Sequence, residues 1–191
     1  MHLFRRVVAV TAAALLAACA TAATPAAPAA ASGIGVTVVT VNGTGCPAGT
    51  VTATVAPDGS SVTAAYSAFT AANARRNCVF SIAIVAPGQT WAVTSVTEHG
   101  AVSLPAGATA TQDTGYYIQG SSPTNHVIHT ASGPLAGPWD QSDPAPLSAP
   151  CGTTRNLNID VSLRTVGAGA SLSLNGATPG TTINLGFTDC P

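Results

Sequence analysis

From position 36 onward the chain is written in twos. Apolar and polar residues alternate over Val36–Val41, Val51–Val55, Ser61–Phe69, Asn77–Val85, Thr90–Thr97 and Ala101–Leu104. The alternation resumes at Tyr116–Gln119, His126–Thr130, Asn156–Thr165, Ser171–Leu174 and Thr181–Phe187. A strand places successive side chains on opposite faces, so this period predicts half-buried strands. Two stretches are the clearest: Cys78, Phe80, Ile82 and Ile84 share one face, as do Leu157, Ile159, Val161 and Leu163. Trp91, Val93 and Ser95 are expected to share another.

Between the runs stand turn formers: Asn42-Gly43-Thr44-Gly45, Pro57-Asp58-Gly59-Ser60, Pro87-Gly88, Pro105-Ala106-Gly107 and Pro179-Gly180. No segment carries a 3.6-residue period with caps, and Ala71–Arg76 is too short to stand as a helix. Many short strands at near-regular spacing predict an all-β fold, an antiparallel β-sandwich or barrel-like fold spanning 36–191 as a single domain. Gly133–Pro150 breaks the pattern with five prolines, Trp139 and two Asp. It is expected to be a long irregular Pro-rich loop, of a length usually kept for function or mobility.

The first 22 residues form an export signal. Met1–Arg6 is basic, and Val7–Ala18 is an apolar run of twelve, too short for the roughly 20 residues of a transmembrane helix. No transmembrane segment is therefore expected. Leu16-Ala17-Ala18-Cys19 matches a bacterial lipobox, while Ala18-Cys19-Ala20 and Ala20-Thr21-Ala22 match ordinary A-x-A cleavage sites. Under the first alternative Cys19 is lipidated and anchors the protein to a membrane; under the second it is removed. The Ala/Pro/Thr-rich stretch 23–35 is expected to be a tether.

Either fate of Cys19 leaves Cys46, Cys78, Cys151 and Cys190. Four cysteines in an exported chain predict two disulfides. Three pairings exist. An up-down-up order of the first strands would bring Cys46 and Cys78 to one end of a sheet, which favours Cys46–Cys78 with Cys151–Cys190. A zinc site is disfavoured, because no C-x-x-C occurs and the cysteines are spread over the domain.

Charge is scarce, 7% of residues, and no lysine occurs. Beyond the leader four Arg face seven acids. That balance offers no basic footprint for nucleic acid and little attraction to an anionic membrane.

Candidate chemistry is thin. His126 and His129 are three apart and diverge on a strand, as do the neighbours Glu98 and His99. Asn156, Asn158 and Asp160 form an outward polar ladder, and Arg75-Arg76 is expected to be a solvated turn. No G-x-S-x-G elbow occurs, and no cofactor, metal site or catalytic residue is expected. The Pro-rich loop offers Trp139 for stacking on a sugar, and Asp140 and Asp143 as carboxylates. A glycosidase needs two carboxyls facing one bond about 5–9 Å apart. With His129 and Arg155, which is expected to donate to the Pro-rich loop, Trp139 and Asp143 are the binding candidates.

A further indication comes from short motifs in order: Gly45-Cys46-Pro47-Ala48-Gly49-Thr50-Val51, Ala56-Pro57-Asp58, Arg76-Asn77-Cys78, Tyr116-Tyr117-Ile118-Gln119-Gly120-Ser121-Ser122, His129-Thr130 with Gly133-Pro134, Pro150-Cys151-Gly152, Arg155-Asn156-Leu157-Asn158-Ile159, and Cys190-Pro191. This order resembles the secreted proteins of the domain of unknown function family 4360, found in fungi and bacteria. The resemblance covers Gly45–Pro191. It implies secretion, a β-rich fold and paired cysteines; the family has no established activity, so it implies nothing catalytic. Together these features point to a non-catalytic cell-envelope or secreted binding or structural module, its partner a cell-wall polymer or another surface protein. The alternative is a secreted hydrolase of glycans or peptides with its site near 133–150.

Overall fold

The computed structural model describes residues 33–121, 124–176 and 179–191. The expected export signal, Cys19 and nearly all of the expected tether lie outside the described residues. The described residues contain twelve strands and no helix: β1 (Gly35–Asn42), β2 (Val51–Val55), β3 (Ser61–Tyr66), β4 (Thr70–Ala72), β5 (Arg75–Val85), β6 (Gln89–Leu104), β7 (Thr109–Ile118), β8 (Asn125–Ser132), β9 (Leu135–Ala149), β10 (Leu157–Val166), β11 (Ser171–Ser173) and β12 (Thr181–Asp189).

They form two antiparallel sheets packed as a sandwich, not a closed barrel. The first runs β1-β5-β10-β7-β8. The second runs β2-β3-β12-β6-β11-β4, and β9 pairs with β6 along its other side. The period-two runs supply the core. Cys78, Phe80, Ile82 and Ile84 of β5 are fully buried, as are Leu157, Ile159, Val161 and Leu163 of β10. Trp91, Ile183 and Leu172 of the second sheet close over them. Burying each large side chain favours folding by about 1.5–3 kcal/mol. Tyr66 packs edge-on to Phe69 at 5.0 Å and to Phe80 at 6.3 Å, and its hydroxyl bonds to that of Thr181 at 2.9 Å.

The largest departure from expectation is Gly133–Pro150. It is no irregular loop: β9 pairs with β6 from Leu135↔Leu104 to Ala149↔Trp91. Proline removes a ladder donor, which argues against a central strand. Among the described strands β9 has β6 as its only ladder partner, and on the open side of an edge strand a missing N–H costs nothing. Pro146 falls where β9 bulges, between Leu147↔Val93 and Pro144↔Ser95. Its prolines also blunt the exposed edge against pairing with other chains.

β6 is another departure: the two separate runs Thr90–Thr97 and Ala101–Leu104 form one continuous strand of 16 residues through Gly100. A Cβ at Gly100 would lie 2.0 Å from the carbonyl oxygen of Ser173, so only glycine lets β11 approach there. A bulge near Thr94 shifts the register between Val93 and Ser95. The inward face therefore passes from Trp91 and Val93 to Val96 and Glu98, and Ser95 is not part of it. Arg75-Arg76 opens β5 and is not a turn.

Both favoured disulfides form, Cys46–Cys78 with Cα atoms 5.4 Å apart and Cys151–Cys190 at 5.9 Å. The reason for the first differs from the one expected. β2 and β3 belong to the second sheet and β5 to the first, so Cys46–Cys78 ties the crossover between sheets. Cys151–Cys190 joins the chain just after β9 and β12, the two strands that flank the start of β6.

Candidate functional site

The polar residues that the sequence singled out converge on the sandwich edge where β8 and β9 meet. Glu98 projects inward from β6 and is 2% exposed. Facing it across the core are Gln112 and Thr114, on alternate positions of β7 and equally buried. Thr114 Oγ1 donates to Glu98 Oε1 at 2.7 Å. The Gln112 amide Nε2 donates to Glu98 Oε2, and its Oε1 accepts from Trp139 Nε1. Each oxygen of the carboxyl and each end of the amide thus has a partner, as buried polar groups require.

Removal from water pushes the Glu98 carboxyl up to about 7 from its usual 4.5. The Thr114 hydrogen bond and nearby His129 pull it back, Asp143 pushes it further up, and Gln112 pulls it down. Burial, assisted by Asp143, also raises Tyr116 on β7.

Outside this network lies a His–Asp hydrogen bond between the sheets. His129, opposite Gln112 in the β7–β8 ladder, donates from Nε2 to Asp143 Oδ2 of β9 at 2.7 Å, with 24% and 22% of the two side chains exposed. Two other His–Asp pairs lie on the outer faces. His99 meets its register partner Asp140 at 2.8 Å, and His126 meets Asp113 at 2.8 Å.

Three of the four binding candidates are therefore neighbours: Trp139, His129 and Asp143 all adjoin Glu98. Trp139 is 5% exposed and its ring lies in the core. Arg155 is elsewhere. It does not donate to 133–150. Its Nη1 donates to Gly120 O at 3.1 Å, beside a hollow of about 370 Å³ walled by Ile118, Pro150 and Thr153.

Asp140 and Asp143 do not form a glycosidase pair. Asp140 projects outward to His99 and Asp143 inward to His129, so they cannot flank one bond. Glu98 and His99 diverge as expected, and so do His126 and His129. Among the described residues no trio of His, Cys, Asp or Glu is placed to hold a metal ion, and no helix is long and apolar enough to cross a membrane.

Gln112 and Thr114 were missed because their inward stripe, Ala110-Gln112-Thr114, is not apolar. Glu98 was weighed only beside His99, and its place in the core was not foreseen because the bulge near Thr94 reverses the parity of everything after it. The Gly100 that follows two residues later was the available signal, since it marks a close approach rather than a bend.

An all-β sandwich of two antiparallel sheets, closed by disulfides and by a polar tie at one edge, is a domain suited to an oxidising compartment. The chain belongs to the family described as domain of unknown function DUF4360, whose model matches residues 32–190. It is also 30% identical over 139 residues to an "Uncharacterized secreted protein" of Arthroderma benhamiae. That match covers 66% of this chain and 57% of the relative, so the chain spans a little over half the relative's length.

Proposed function

We propose that the protein is a secreted or cell-envelope module that binds a surface polymer, or another surface protein, without catalysing a reaction. The observation that carries this reading is the enclosure of Glu98. A general acid must reach substrate within hydrogen-bond distance. This carboxyl, the one described side-chain acid buried in the core, has both oxygens engaged by Thr114 and Gln112. Asp140 and Asp143 diverge, which counts against the carboxyl pair a glycosidase near 133–150 would need. The name of the fungal relative and the two disulfides support export. Attachment through a lipidated Cys19 would hold the module at the envelope, with the 23–35 stretch as tether; mass spectrometry of the mature N-terminus reads this directly.

The test is co-sedimentation of the mature exported protein with purified envelope polysaccharide. Depletion from solution that saturates with polymer is expected. A protein left wholly in solution by every envelope polymer, and by intact envelopes, would overturn the proposal.

A further inference from the structure

The outer face of the first sheet carries a polar trough whose chemistry is not spent on the fold. It follows from register. Asp160 of β10 stands between Val79 of β5 and Gly115 of β7, and Gly115 stands opposite His126 of β8. With no side chain at Gly115, the His126 ring folds over that position, and a Cβ there would lie 3.1 Å from the imidazole Cε1. The ring thereby reaches Asp113. A hollow of about 80 Å³ remains beside Asp160, walled also by Arg75, Asp113, His126 and Ser162. A second depression of about 220 Å³ shares Arg75, Asp113 and Ser162 and adds Thr111 and Arg164, so the two form one trough.

Two features distinguish this trough from an ordinary solvated sheet face. Asp160 Oδ1 is buried yet has no hydrogen-bond partner among the described residues. Its row neighbours Val79 and Gly115 offer no side-chain donor, and native folds seldom leave such an atom unpaired without a use for it. Arg75 is the other. Its Nε donates to Ser162 Oγ at 2.9 Å, which fixes the guanidinium over the trough with its terminal nitrogens unengaged by any described side chain. The trough's polar groups stand on rows spaced by the strand separation of about 4.8 Å and the same-face repeat of about 7 Å, with Arg75 beside Arg164 at one end and Asp160 at the other.

We infer that this trough is a glycan-binding site, taking the hydroxyls of a neutral polysaccharide laid across β5, β10, β7 and β8. The inference rests on the binding reading above and assigns its face and ligand class. Charges of both signs line the trough and nearly cancel, which suits a neutral ligand. A hydroxyl is both donor and acceptor: it donates to the Asp160 carboxylate, which lines the hollow, and accepts from Arg75. The hollows are shallow and open above, so a chain fits along them rather than an end into a pocket. Tyr117, one row along opposite Asn158, adds a half-buried ring beside the same track.

The experiment measures depletion of the mature exported protein by insoluble neutral β-glucan, mannan and chitin, for wild type, Asp160→Ala, Arg75→Ala and the opposite-face control Asp140→Ala. Wild type is expected to bind at least one of them at low and high salt, since a neutral ligand offers no charge to screen. Asp160→Ala and Arg75→Ala are each expected to bind about tenfold more weakly or worse, with Asp140→Ala unchanged. Asp160→Ala removes an unpartnered buried atom, so its melting temperature should equal or exceed wild type. That combination, binding lost and stability kept, separates a ligand contact from a structural one. Binding that all three variants retain in full would overturn the trough and leave the binding reading standing. Wild type that binds no neutral glycan but does bind an envelope polymer at low salt only would overturn the ligand class. Wild type that binds no polymer at all would overturn both.

Discussion

His129 on β8 and Asp143 on β9 belong to different sheets, and their side chains meet at 2.7 Å across the open edge of the sandwich. The strands are consecutive in the chain, yet their backbones do not pair. This hydrogen-bonded pair, with the network behind it, is what closes that edge. Replacing either residue by alanine should cost roughly 1–3 kcal/mol. The double variant should cost less than the sum of the two, because each single change already removes the one shared interaction. Chemical denaturation of the four species checks this, and strict additivity would mean that the pair is not formed in solution.

Glu98 makes stability fall with rising pH. Its folded value, about 7, lies above the unfolded 4.5. The fold therefore favours the protonated form. Its contribution is complete below about 4.5 and is lost as pH climbs to 7. The shift corresponds to roughly 3 kcal/mol. The stability of wild type minus that of Glu98→Gln, which cannot titrate, should decline by about that amount over the window. Parallel stability curves would show that the carboxyl is hydrated.

Trp139 is predicted to act as a core residue with a polar task. Trp139→Phe keeps most of the ring but removes the donor to Gln112 Oε1, leaving a buried acceptor unpaired. A loss of roughly 1–3 kcal/mol is expected, and Trp139→Ala should lose about 3–5 kcal/mol. A Trp139→Ala variant of unchanged melting temperature would place the ring outside the core.

The two disulfides should differ in cost when each pair is replaced by alanine. Each removal should cost about 2–4 kcal/mol through the unfolded chain. Cys46 and Cys78 are fully buried, so their removal also leaves a void, and this pair should be the more damaging. Thermal unfolding of the two double variants checks the order, and thiol titration of wild type should find no free cysteine among the four.

The sequence reveals the two best strands because their inward residues are uniformly apolar: Cys78 to Ile84 and Leu157 to Leu163 need only a period of two. It conceals β9 because proline count argues against a strand unless the strand is known to lie at an edge, and edges are decided by topology. It conceals the Glu98 network for a related reason. A one-residue bulge near Thr94 cannot be seen in the alternation, yet it decides whether Glu98 or His99 faces the core. Trp139, Asp143 and His129 were recognisable as a group, although their shared neighbour Glu98 was not part of it. The outer trough was legible only as a polar ladder, since its hollow depends on Gly115 lying beside Asp160 on another strand.

The most direct measurement is product analysis after prolonged incubation of the mature protein with labelled envelope polymer. Bound, uncut polymer is predicted, with no soluble fragments above background. Fragments that appear with wild type and vanish with Glu98→Gln or Asp143→Asn would show that the enclosed carboxyls do chemistry, and would contradict the non-catalytic assignment outright.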